Sequence, residues 1–108
     1  MALLPYPAAF PQEALLMMLD KFRGKEVSTP DLVNAAWNVA GYGLAQSIGG
    51  GAMVANDVPE GVSDADLIAT ALRQNGVNVD GENTTSFTFI PWVLIVSTAI
   101  KLIVKLAL

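Results

Sequence analysis

Residues 89–108 read FIPWVLIVSTAIKLIVKLAL, and the fold turns on what covers this run. Pro91 suits the first turn of a helix, where a missing N–H costs nothing. From Trp92 to Leu108 a helix would reach about 25 Å, just short of the roughly 30 Å hydrocarbon core of a bilayer. Starting the apolar run at Phe87 or Phe89 narrows that gap. Trp92 is the residue type that favours a lipid–water boundary. Ser97, Lys101 and Lys105 recur at four-residue spacing with Thr98 beside them, so the polar groups form one thin strip. A lysine at mid-span costs on the order of 3 kcal/mol, less where its ammonium reaches headgroups. Lys105 lies near the end, and Lys101 can extend along its own stem.

A helix lying flat on a membrane needs a broad charged face, and this strip is thin. A soluble domain would have to cover most of the helix circumference, and the residues left for that task number only about eighty. We therefore expect a membrane-inserted helix that meets lipid or a partner through Trp92, Leu94, Ile95, Ile100, Lys101, Ile103 and Lys105. The alternatives are a helix buried in an oligomer or larger partner, and a surface-lying one. Charge leaves orientation open, because the tail lysines favour a cytosolic end. A chain without a signal more easily keeps its N-terminal part there.

Composition narrows the function classes. Hydrophobic residues make up 53% of the 108 and charged ones 15%, against roughly a quarter charged in ordinary soluble domains. That balance fits a chain that meets lipid or a large protein partner. Without cysteine there is no disulfide, thiolate metal site or cysteine nucleophile. Without histidine the commonest general base and metal ligand is missing too. A net charge of −4 gives no footprint for nucleic acid. The opening MALLPYPAAFP lacks a positive n-region, so no cleavable secretory signal is expected.

Upstream of the tail the pattern is helical. Residues 1–10 alternate proline with apolar side chains and read as an extended arm, for docking or as a free tail. Pro11 then opens a helix to about Arg23, with Leu15, Met18, Leu19 and Phe22 on one face and Gly24 as its stop. Ser28-Thr29-Pro30-Asp31 supplies a capping hydroxyl, a helix-start proline and an acid in the first turn. The helix it opens runs to about Ile48. Val33, Trp37, Ala40, Leu44 and Ile48 trace one side of it, Asn34 and Asn38 another. Ala36, Ala40, Gly41, Gly43 and Ala45 are small residues of the kind that let two backbones approach, and they are the expected helix-packing positions. Ser63 caps a third helix to about Gln74, with Leu67, Ile68, Ala71 and Leu72 inward and Asn75-Gly76 as its stop.

Two other motifs fall away. Gly49-Gly50-Gly51 follows a helix and has no lysine near it, so it reads as a linker and not as a phosphate loop. Asn78, Asp80, Glu82 and Asn83 lack the glycine position and the closing glutamate of a calcium loop. Residues 77–88 read as turn and extended lead-in. The expectation is a mainly α fold, a small domain of about three helices over 11–76 with a C-terminal membrane helix over 89–108. No acid is paired with a nucleophile or base at a telling spacing, so neither enzyme, metal, cofactor, small-molecule substrate nor nucleic acid is expected. A non-enzymatic structural subunit of a membrane complex or a lipid-contacting virion follows, with protein partners or copies of itself. The alternatives are a phage holin-like pore former and a soluble capsid- or tail-type subunit.

Overall fold

The computed structural model describes residues 9–49, 61–80 and 90–107. Four helices are found there: α1 (Gln12–Phe22), α2 (Thr29–Gly49), α3 (Asp64–Gln74) and α4 (Trp92–Ala107). No strand occurs among the described residues. The N-terminal arm through residue 8, the glycines at 50 and 51 and the segment 81–89 lie outside them.

Helix ends follow the sequence signals. Ser63 keeps an extended backbone and accepts a hydrogen bond from the Asp66 N–H at 3.1 Å. Ser63→Ala should lower the unfolding free energy by about 1 kcal/mol, measurable by chemical denaturation. α1 and α3 close alike. Lys25 N–H bonds Asp20 C=O at 2.9 Å and Gly24 N–H bonds Lys21 C=O at 3.0 Å; Val77 and Gly76 repeat this on Leu72 and Arg73, both at 3.0 Å. Such a closure needs a left-handed residue after the cap, and Gly24 (φ 84°) and Gly76 (φ 81°) supply it.

α2 holds the bundle together. It packs on α1 to one side and on α4 to the other, and its contact with α4 is the most extensive between described helices. α3 closes the square by contacting α1 and α4, diagonally across from α2. Leu15, Met18 and Leu19 of α1 meet Leu32, Ala36 and Val39 of α2, Ile68 and Leu72 of α3, and Ile95 and Ala99 of α4 in one core. Phe10, Tyr42 and Trp92 gather edge-to-face at one end, with ring centroids 5.2–6.2 Å apart. Two arginines pin the segment after α3: Arg73 donates to the Val79 carbonyl through Nε (3.2 Å) and Nη2 (2.9 Å), and Arg23 Nη2 donates to the Asp80 carbonyl.

The tail helix differs from expectation. α4 is the fourth helix of the bundle, not an addition to about three, with Trp92, Ile95, Val96, Ala99, Leu102 and Ile103 buried. Its cover comes mainly from α2, where Gly43 stands against Val96 and Trp92 and Ala36 and Ala40 are buried on the same side of the helix. Buried Thr98 donates from Oγ1 to the Asp64 carboxylate of α3 at 3.4 Å. Among the described residues no helix is long and apolar enough to cross a membrane. With 16 residues α4 spans about 24 Å.

Candidate functional site

Packing α2 on α4 by its small residues turns Trp37 and Leu44 outward. Leu32, Ala35, Ala36, Val39, Ala40 and Gly43 are buried, whereas Trp37 is 60% exposed and Leu44 49%. At about 100° per residue these two lie together on the far side of α4 from α1, with half-buried Val33 beside them. On α4, Val93, Ile100 and Val104 are 40%, 45% and 51% exposed and share a second stripe, again at seven- and four-residue spacing.

The two stripes form one face. A Cβ built on Gly43 would stand 2.5 Å from Val96 Cγ2 and 3.2 Å from the Trp92 ring, which fixes the register of α2 against α4. α4 stays buried as far as Ile103, yet α2 ends only six residues past Gly43, so the helices run antiparallel. Helix periodicity then turns both stripes to the same side and brings Leu44 level with Val93, Trp37 with Ile100 and Val33 with Val104. Exposed Ser97, Lys101 and Lys105 border the face along α4. Exposed Asn34 and half-exposed Gly41 border it along α2. No family model, curated protein or solved structure matches this chain.

The expected contact residues divide between inside and outside. Ile100, Lys101 and Lys105 are exposed and Leu94 is half-buried, while Trp92, Ile95 and Ile103 belong to the core. Of the expected packing residues, Ala36, Ala40 and Gly43 are buried, Gly41 meets open space and Ala45 is exposed. The sequence grouped Trp37 and Leu44 on one side of α2 without saying which way that side turns, and did not single out Val93 or Val104 as surface residues. Their signal was present: α2 places Trp37 and Leu44 next to a row of small residues. Where α4 comes close over the small row, the large side chains flanking it stay outside, while Leu32 and Val39 turn into the core.

Open clefts follow α1, one lined by Glu13, Met17, Asp31, Asn34 and Asn38, another by Lys21, Lys25, Glu26 and Ser28. Among the described residues no three acidic side chains gather where a metal ion could be held.

Proposed function

We propose that the protein is a small non-enzymatic structural subunit that acts by docking through the α2–α4 face, in a membrane protein complex or a lipid-contacting virion. The supporting observation is that Trp37, Leu44, Val93, Ile100 and Val104, five large apolar side chains, stand outside a core that is already closed. Contiguous apolar surface of this kind marks interaction sites in folded proteins. Trp is also over-represented among the residues that dominate binding energy. Docking replaces spanning in this reading, because α4 gives its broad apolar side to the bundle.

Trp37→Ser combined with Ile100→Ser should lower the melting temperature only slightly, since Trp37 is mostly and Ile100 nearly half in water. The same pair should abolish association. Light scattering and micelle binding of the full chain check this. A wild-type chain that remains monomeric and binds neither micelles nor vesicles sinks the proposal.

A further inference from the structure

The docking face has a sign as well as an apolar stripe, and the sign narrows what can cover it. Lys101 and Lys105 are exposed beside Ile100 and Val104, and α4 contains no acid. The one acid of α2, Asp31, points away from this face into the cleft with Glu13 and Met17. Among the described residues the remaining acids sit on α1, on α3 and in the segments that follow them. A chain of net charge −4 therefore presents an apolar stripe bordered by cations, and the one described carboxylate that reaches α4, Asp64, bonds Thr98 beyond the lysines on the side away from that stripe.

We infer that this face lies against an anionic lipid surface, with the α2 and α4 axes parallel to it. The inference rests on the docking reading above and names its occupant. A second copy placed on the face would bring to the lysines mainly Asn34, Ser97 and other lysines, since the border of the apolar stripe holds no acid and Asp64 lies beyond it, bonded to Thr98. Anionic headgroups answer the lysines directly. The geometry suits an interface: Val93, Ile100 and Val104 form a straight keel along α4, and lysines one step round the helix carry their ammonium groups outward on apolar stems. Trp37 stands on the neighbouring helix at the level of Ile100, and its indole has the boundary preference such a position uses. A lone flat helix would need a broad polar side to keep it from sinking. Here the bundle takes that role, so a thin lysine strip is enough.

The test is flotation of the full chain with vesicles of phosphatidylcholine mixed with phosphatidylglycerol, and with phosphatidylcholine alone, while tryptophan emission is followed. The chain should float with the mixed vesicles only and shift its emission to the blue. Trp37→Phe should remove that shift, since Trp92 is buried in both states. Lys101→Gln with Lys105→Gln should weaken binding about tenfold or more, with an unchanged circular dichroism melt showing that the fold is intact. Equal binding to both vesicle types overturns the assignment, as does no response to the lysine pair. A chain that self-associates, loses this with Trp37→Ser and Ile100→Ser, and never floats also overturns it. That last result leaves the docking reading standing with a second copy as occupant. A monomer that binds nothing ends both.

Discussion

Ile95→Ala should lower the unfolding free energy by about 2–5 kcal/mol, the range for deleting a large aliphatic side chain from a tight core. Ile95 is 0% exposed in the middle of α4, in one cluster with Leu15, Leu32, Ile68 and Leu72. In a domain whose whole stability is of the order of 5–15 kcal/mol, a loss of this size is severe. Denaturant unfolding followed by circular dichroism measures it. The result also separates two architectures. If α4 were an anchor hanging from an independent three-helix domain, Ile95→Ala would leave that domain's transition where it was. A midpoint that does not move would mean that α4 is not part of the cooperative core.

Two glycines a short way apart on α2 should respond with opposite signs. At Gly43 an added Cβ would stand 2.5 Å from Val96 Cγ2 and 3.2 Å from the Trp92 ring. Valine has one stiff rotamer in a helix and the indole is wedged between Phe10 and Tyr42, so neither yields easily. Overpacking of this kind costs about 1–3 kcal/mol, and Gly43→Val, with two further methyl groups, should lie at or beyond the upper end. Gly41 has nothing within 4 Å of its built Cβ. There Gly41→Ala should stabilise by about 0.5–1 kcal/mol, because alanine loses less backbone freedom in a helix. Thermal melts of the two variants side by side decide the matter. A Gly43→Val protein as stable as the parent would contradict the close approach of α2 and α4.

Elements were legible in the sequence where local chemistry fixes them. Ser28-Thr29-Pro30-Asp31, Ser63 with Asp66, Gly24 and Gly76 mark helix ends because each satisfies or terminates backbone groups within a few residues. α1 was legible in its inward face as well, since Leu15, Met18 and Leu19 contrast with Glu13, Asp20 and Lys21 around the helix. α2 offered no such contrast. Between Leu32 and Gly49 it has no charge, so hydropathy could not say which side turns in. Size decided instead, and the value of a small side chain depends on which helix comes to meet it. The docking face was hidden for the same reason. The cover of α4 was underestimated because its neighbours were counted by number of residues. What mattered was that α2 offers a long face flat enough for α4 to lie on, and that α3 buries an unbroken run from Asp66 to Leu72.

The pairing of α2 with α4 also sets an order of events during synthesis. The first hairpin, α1 with α2, can close as soon as its short connection is made. α2 then waits for a partner that lies about 50 residues further along, a separation whose closure costs entropy before any contact repays it. Through that interval the row of Ala36, Ala40 and Gly43 is open, with Trp37 and Leu44 exposed next to it, so the growing chain shows one broad apolar side of the helix. A nascent chain in this state invites chaperones or premature pairing. Arrival of α4 covers the small-residue row and leaves Trp37 and Leu44, so the mature protein keeps for its partner only part of the surface that its unfinished form exposes.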